Sequence, residues 1–130
     1  QACEFQACLS LQDGRFNVLW GRDEMFLSAL AVGTRGAIGS TYNIAAPLYQ
    51  KLWDAYQAGD MVEAQRLQLL AVQMIRVLLK YPFLAMLKHL LGCGGCRLPQ
   101  ANLTSEQIAA VKSQLAEVGF FDWCGTEFQR

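Results

Sequence analysis

The sequence lacks an excess of charge of either sign. Eleven Lys and Arg residues balance eleven Asp and Glu residues, so the formal net charge is zero. A protein that holds the phosphate backbone of a nucleic acid needs clustered positive charge. The balance therefore argues against nucleic acid as a partner.

A long uninterrupted apolar run is also missing. A helix that spans a membrane needs about 20 nearly continuous apolar residues. We therefore predict no transmembrane helix and no membrane partner. The richest apolar stretch covers residues 67–91, and its polar interruptions are Gln68, Gln73, Arg76, Lys80, Lys88 and His89.

The first residues lack both an initiator Met and the features of a signal peptide. Residues 1–11 have no charged start followed by an apolar core and a small-residue cleavage site. The five cysteines are an odd number, which fits reduced thiols better than a disulfide framework. We therefore expect a cytoplasmic protein whose sequence begins inside a longer chain.

Residues 1–40 contain two short apolar runs that predict strands. The runs at 16–20 and 37–40 flank a predicted helix from Glu24 to Val32, and a further helix is predicted over residues 1–11. This order is typical of a parallel βαβ unit with both strand faces covered by helices. Two parallel strands leave two unpaired edges, so we expect the unit to belong to a larger sheet whose remainder lies N-terminal.

After Asn43 the pattern is helical. An apolar stripe predicts a first helix that stops at Gly59-Asp60, and residues 92–99 can only be a loop. Thr104 and Gln107 form a capping-box pattern before the last helix. The remaining expectations are a long helix from Met61 to Pro82, a shorter one from Phe83 to Leu91, an end of the last helix at Gly119, and docking of the apolar tail residues Phe120, Phe121 and Trp123.

Two motifs resemble a known family. Gly21-Arg22-Asp23-Glu24 and Gly39-Ser40-Thr41-Tyr42-Asn43 are similar to the N-acetylneuraminate lyase branch of the dihydrodipicolinate synthase superfamily, and the similarity extends from about Cys3 to about Gly119. It implies an α/β fold, the C-terminal portion of a TIM (β/α)8 barrel with strands seven and eight, their helices and additional C-terminal helices. Residues 1–58 would complete the barrel and residues 59–130 would form a helical extension packed on it.

The resemblance also implies an activity. Family members of this branch are class I aldolases that cleave N-acetylneuraminate to N-acetylmannosamine and pyruvate through a lysine Schiff base, without metal or organic cofactor, usually as homotetramers. The Schiff-base lysine and the proton-relay tyrosine would lie upstream of Gln1, so we expect this chain alone to be inactive. The lysines that are present, on predicted helices after the eighth strand, are Lys51, Lys80, Lys88 and Lys112.

Four substrate-binding residues are implied by the same motifs. Asp23 and Glu24 would bind sugar hydroxyls by their side chains, Gly21 by its backbone, and Ser40 by its hydroxyl. Desolvated hydroxyls need new partners, and carboxylates accept the stronger charge-assisted bonds. Without the resemblance, the two acids would be an ordinary first helical turn, and Asn43 or Thr41 would simply cap the next helix.

Two alternatives stay open. The chain could come from a dihydrodipicolinate synthase or another 2-keto-3-deoxy sugar-acid aldolase of the superfamily, although Glu24 and residues 40–43 favour the lyase. It could also be a non-catalytic half-barrel that needs a partner to supply the other strands.

The Cys93-Gly-Gly-Cys96 motif suggests a zinc or redox site but does not establish one. With His89 and Cys124 it could be drawn as a zinc site, yet a second well-spaced ligand pair is missing. The pair does not open a helix after a strand, as in thioredoxin-like motifs. We therefore interpret these residues as part of a loop and predict no metal site.

Overall fold

The computed structural model describes residues 2–124, and within them the chain is almost entirely helical. Two 3₁₀ turns, Leu11–Gly14 and Asp23–Met25, lie in the first third of the chain. Seven α-helices account for most of the rest: α1 (Ala2–Ser10), α2 (Phe26–Ala31), α3 (Tyr42–Gln57), α4 (Met61–Leu78), α5 (Phe83–Leu90), α6 (Ser105–Glu117) and α7 (Phe120–Trp123).

The two predicted strands are reduced to one parallel bridge between Trp20 and Ala37. The Trp20 N–H donates to the Gly36 carbonyl at 3.0 Å, and the Trp20 carbonyl accepts from the Ile38 N–H at 2.9 Å. No third strand lies beside either segment within residues 2–124, so the ladder does not propagate. The prediction that helices cover both faces of the strands is also wrong, since Phe16 is 50% exposed and Ile38 is 68% exposed.

A helical core is built from α3 and α4, which pack along each other, with α6 and α7 against them. Burying one aliphatic or aromatic side chain of this size stabilises a fold by about 1.5–3 kcal/mol. The predicted docking of the apolar tail is confirmed for Phe120, which is completely buried. The other side chains with less than 2% exposure include Leu48 and Leu52 from α3, Met74 and Leu78 from α4, and Leu115 from α6.

Local signals mark several helix ends, and the capping box at Thr104 is one that the sequence predicts. The Asp60 carboxylate accepts from the Glu63 N–H at 3.0 Å and caps α4. Thr104 and Gln107 form the predicted capping box, with reciprocal bonds of 3.2 and 2.9 Å. Gly119, in the left-handed region at φ 70°, follows α6 as expected. The predicted helices are therefore present, although α4 ends at Leu78 and not at the predicted Pro82.

No single helix within residues 2–124 combines the length and apolar composition of a membrane span. Only α4 and α5 taken together reach that length and apolar composition, and these two helices meet at a bend of 111°. Gln1 and residues 125–130, the outer ends of the two predicted domains, lie outside the described residues.

Candidate functional site

The Trp20–Ala37 bridge brings the two sequence motifs to the same end of the paired segments. Because the segments run parallel, the residues that follow Trp20 and those that follow Ala37 leave the bridge on one side. The Trp20 indole N–H also donates to the carbonyl of Arg22 and holds the chain as it leaves the bridge. Residues 21–24 therefore lie next to residues 38–41.

Asp23 is anchored to the second motif. Its Oδ2 accepts from the Thr41 N–H at 3.2 Å and also from the Thr41 hydroxyl. A Cβ at Gly39 would lie 3.1 Å from the same oxygen, so the absent side chain leaves room for the carboxylate. No donor meets Oδ1 in the part of the chain that the structure describes. One carboxylate oxygen therefore fixes the side chain, and the other is available.

Thr41 continues the hydrogen-bond network into the core. Its Oγ1 lies 2.9 Å from the hydroxyl oxygen of Tyr49. The single hydroxyl hydrogen of Thr41 goes to Asp23, so Tyr49 must be the donor in this second bond. The capping prediction is wrong for both candidates: Thr41 precedes α3 without a side-chain cap, and the Asn43 amide donates to the Ser40 carbonyl at 3.0 Å.

Two phenols lie around this network: Tyr49 is buried, and Tyr42 is half-buried with its hydroxyl oxygen buried. Burial raises the pKa of Tyr42 above its ordinary value, and the negative charges of Asp23 and Glu24 raise it further. Burial likewise raises the pKa of Tyr49, against a smaller opposing effect of the bond to Thr41. Both side chains are therefore neutral at physiological pH.

Glu24 is held by a neighbour on its own segment. Its Oε1 accepts from Nε and Nη2 of Arg22 at 3.1 and 2.9 Å, while Oε2 meets no donor among residues 2–124. The Arg22 side chain is 67% exposed, so the pair contributes little to stability. Its effect is to orient the carboxylate and to balance its charge.

Gly21 and Ser40 complete the set of predicted site residues. A Cβ at Gly21 would meet no heavy atom within 4 Å, so the backbone is open there. Ser40 is exposed and lies between Gly39 and Thr41, the two residues that surround the Asp23 carboxylate. The structure thus gathers Asp23 and residues 39–41, whereas no hydrogen bond joins Glu24 to Ser40 in residues 2–124.

Gln68 is a contributor that sequence reasoning missed. From α4, its Oε1 accepts from the Leu27 N–H at 2.8 Å, and its Nε2 donates to the Asp23 carbonyl at 3.4 Å. The available signal was a polar residue within the richest apolar stretch of the chain. These bonds connect the long helix of the core to the segment that carries Asp23 and Glu24.

Across residues 2–124, no group of three or more His, Cys, Asp and Glu side chains is placed to hold a metal ion. Cys93 and Cys96 lie in the loop after α5 and share no hydrogen bond with the Asp23 network among residues 2–124.

The sequence matches one protein family and several curated proteins. The model of the dihydrodipicolinate synthetase family matches residues 4–118. The N-acetylneuraminate lyase of Rhizobium meliloti is 39% identical over 103 residues, which are 75% of this chain and 34% of the relative. That of Lactiplantibacillus plantarum is 40% identical over 97 residues, 71% of this chain and 33% of the relative. The chain thus spans about a third of the length of these curated relatives.

Solved structures agree with these sequence matches. The N-acetylneuraminate lyase of Proteus mirabilis superposes with a TM-score of 0.85 at 34% identity, over 92% of this chain and 42% of that one. A dihydrodipicolinate synthase from Bacillus anthracis gives 0.80 at 26% identity, over 89% and 41%. With the family model matching most of its length, the chain belongs to the dihydrodipicolinate synthetase family.

Proposed function

We propose that this chain is part of a class I aldolase that cleaves N-acetylneuraminate to N-acetylmannosamine and pyruvate. Relatives at 39% and 40% identity carry the name N-acetylneuraminate lyase, which supports this substrate. Residues 1–58 contribute the C-terminal part of a (β/α)8 barrel with its seventh and eighth strands, and residues 59–130 the helical extension. The complete enzyme acts on its sugar acid as a homotetramer.

The juxtaposition of Asp23 with residues 39–41 is the observation that carries the proposal. These residues follow the two bridged segments at their carboxyl ends, where barrel enzymes build their sites. Hydrogen bonds to Asp23 Oδ2 and Glu24 Oε1 orient the two carboxylates. Their second oxygens, Asp23 Oδ1 and Glu24 Oε2, can therefore accept hydrogen bonds from a ligand. Such carboxylates suit the hydroxyls of a polyol, which donate charge-assisted hydrogen bonds.

In this mechanism the residues of the chain orient the substrate. A lysine outside this sequence supplies the Schiff base that accepts the electrons of the breaking carbon–carbon bond. Asp23 and Glu24 hold hydroxyls of the sugar tail, Ser40 adds a hydroxyl, and the open backbone at Gly21 allows close approach. Fixing the tail places the scissile bond in one geometry relative to the lysine, which lowers the entropic part of the barrier.

A chimaeric enzyme tests the proposal. Residues 4–118 would replace the matching third of the Rhizobium meliloti lyase, and cleavage of N-acetylneuraminate would be followed by pyruvate release. We expect Glu24→Ala to lower kcat/KM about 10- to 100-fold, the cost of a hydrogen bond to a charged group. Glu117→Ala, on the exposed end of α6, is the control and should leave kcat/KM unchanged. Equal activity of both variants would contradict the assignment of Glu24.

The isolated chain should form no Schiff base. Pyruvate followed by borohydride should leave its intact mass unchanged, because neither residues 21–24 nor residues 38–41, which follow the two bridged segments, contain a lysine. The lysines of the chain are Lys51, Lys80, Lys88 and Lys112. A mass increase equal to reduced pyruvate would show that a lysine of this chain is the nucleophile.

The superposition on a dihydrodipicolinate synthase supports that synthase activity as a second candidate function. The same chimaera, assayed with several 2-keto-3-deoxy sugar acids and with the synthase substrates, separates the two activities. Faster turnover of another substrate than of N-acetylneuraminate would replace the proposed one. Failure of the chimaera to turn over any of them, although folded, would favour a non-catalytic half-barrel.

A further inference from the structure

Tyr49 is buried on α3 and reaches the candidate site only through Thr41. Its ring packs edge-on against the rings of Tyr42 and Phe26, with centroid distances of 4.5 and 6.1 Å. Edge-to-face contacts of this kind favour one orientation of the ring. The Tyr49 hydroxyl is therefore held in one place, 2.9 Å from the Oγ1 of Thr41.

The hydrogen bond between Tyr49 and Thr41 spans a break in α3. Ala45 has a φ of −136° and a ψ of 22°, which are not helical values. Two residues later, Pro47 has no N–H to donate to the carbonyl one turn back. The backbone therefore holds the first turn of α3 less firmly than it holds the interior of a regular helix. The side-chain bond from Tyr49 ties the residue before that turn, Thr41, to the helix beyond the break.

The direction of these hydrogen bonds follows from the number of protons available. Thr41 donates its one hydroxyl hydrogen to Asp23 Oδ2 and therefore accepts from Tyr49. The same carboxylate oxygen accepts from the Thr41 N–H, so both of its lone pairs are used. Within residues 2–124, only Oδ1 of Asp23 is left to accept a hydroxyl proton from a ligand.

We propose that Tyr49 is a positioning residue, which sets the orientation of Asp23 without touching the substrate. This inference rests on the proposed cleavage of a sugar acid. Tyr49 holds Thr41 across the break in α3, and Thr41 holds Oδ2 of Asp23, so that Oδ1 meets a sugar hydroxyl in one geometry. Consecutive hydrogen bonds also polarise one another, so the Tyr49 hydroxyl strengthens the bond from Thr41 to Asp23.

Two tyrosine variants of the chimaeric lyase test this role. Tyr49→Phe and Tyr56→Phe each remove one hydroxyl from α3, but the Tyr56 hydroxyl donates to the Leu30 carbonyl at 3.1 Å and not to the Asp23 network. We expect Tyr49→Phe to lower kcat/KM for N-acetylneuraminate about 3- to 10-fold, the factor that corresponds to one neutral hydrogen bond. Tyr56→Phe is the matched control and should leave kcat/KM unchanged.

Two further measurements separate positioning from a general loss of structure. Pyruvate has no sugar tail, so the pyruvate concentration that half-saturates borohydride trapping should be the same in Tyr49→Phe as in the wild-type chimaera. In an Asp23→Ala background, Tyr49→Phe should cause no further loss of kcat/KM, because the carboxylate that Tyr49 positions is absent.

The results distinguish the role of Tyr49 from the proposed function. A wild-type chimaera that does not cleave N-acetylneuraminate would overturn the proposed function and the role of Tyr49 with it. In an active chimaera, three results would each overturn the role of Tyr49 alone. These are equal kcat/KM values for Tyr49→Phe and Tyr56→Phe, weaker trapping of pyruvate by Tyr49→Phe, and an undiminished loss of kcat/KM in the Asp23→Ala background.

Discussion

The two parts of this molecule meet the demand for backbone hydrogen bonds in different ways. In the part from α3 onward, helices pair their own amides and carbonyls, and their apolar stripes meet in one core. In residues 11–40, the segments around Trp20 and Ala37 form a single parallel bridge, and the apolar side chains of Phe16, Leu19 and Ile38 stay largely exposed. The helical part buries its apolar faces within itself, whereas the bridged part leaves apolar side chains exposed.

This difference explains where the candidate site lies. A helix closes its hydrogen bonds within one segment, but a parallel strand needs neighbours on both sides to be buried. The Asp23 network stands at the edge between the two parts, anchored to Tyr49 of α3 and Gln68 of α4. The helices α3 and α4 thus hold the Asp23 network in place through Tyr49 and Gln68.

The largest expected effect comes from truncating the helical core. Leu52→Ala removes a completely buried side chain of α3 and should lower the free energy of unfolding by about 2–5 kcal/mol. Ile38→Ala, in the bridged part, removes a side chain that is 68% exposed and should change it by less than about 0.5 kcal/mol. Urea denaturation of both variants checks the contrast, and similar losses would mean that Ile38 is buried by contacts in solution.

Removing the hydroxyl of Thr41 should have the next largest effect. Thr41→Val keeps the shape but deprives Asp23 of one donor and leaves the buried Tyr49 hydroxyl without its acceptor. We expect a loss of about 1–3 kcal/mol in the free energy of unfolding. Ser40→Ala, next to it and exposed, is the matched control and should be nearly neutral. A Thr41→Val variant as stable as the wild type would contradict the network.

A methyl group at Gly39 tests how tightly the two motifs fit. The new Cβ would lie 3.0 Å from Tyr42 Cε2 and 3.1 Å from Asp23 Oδ2, closer than carbon contacts normally allow. Gly39→Ala should cost about 1 kcal/mol through overpacking. Gly21→Ala, where the Cβ meets nothing within 4 Å, should be neutral. Thermal unfolding of the pair measures the difference, and equal melting temperatures would show that the motifs are not in contact.

The smallest expected effect is a pH dependence at Tyr42. Its buried hydroxyl finds no hydrogen-bond partner within residues 2–124, so Tyr42→Phe should be neutral or slightly stabilising at pH 7. The folded pKa is raised, so the folded chain keeps the phenol proton that the unfolded chain releases near pH 10.

Stability contributed by Tyr42 therefore falls as the pH rises through that range. At pH 10 the wild type should have lost about 0.4 kcal/mol that Tyr42→Phe retains. Denaturation curves of both proteins at pH 7 and pH 10 give this difference directly. The same loss in both proteins would assign the dependence to other groups.

The sequence predicts the helices well because their ends are encoded locally. Asp60 caps α4 and Thr104 pairs with Gln107 across three residues, so each signal is complete within one turn. The strands at 16–20 and 37–40 have no such local completion. Their extent depends on neighbouring strands, and within residues 2–124 none is there to pair with them.

The same reasoning applies to the site. The family resemblance predicts four site residues, Gly21, Asp23, Glu24 and Ser40, and the structure brings Asp23 against residues 39–41. The bond from Thr41 to Asp23 joins residues 18 positions apart, and those of Gln68 join residues 41 and 45 positions apart. Contacts of this length leave no periodic trace in a single sequence, so the supporting roles of Thr41 and Gln68 could not be predicted.

The two bonds of Gln68 have a consequence for how substrate preference can change. Because one amide group spans from α4 to Leu27 and to the carbonyl of Asp23, a small rotation or slide of that helix is transmitted to the carboxylates proposed to bind the sugar. Substitutions far from any bound molecule, on the buried face of α4, are therefore able to retune which sugar is accepted. A directed-evolution library would find specificity mutations there as well as among the residues that touch the substrate.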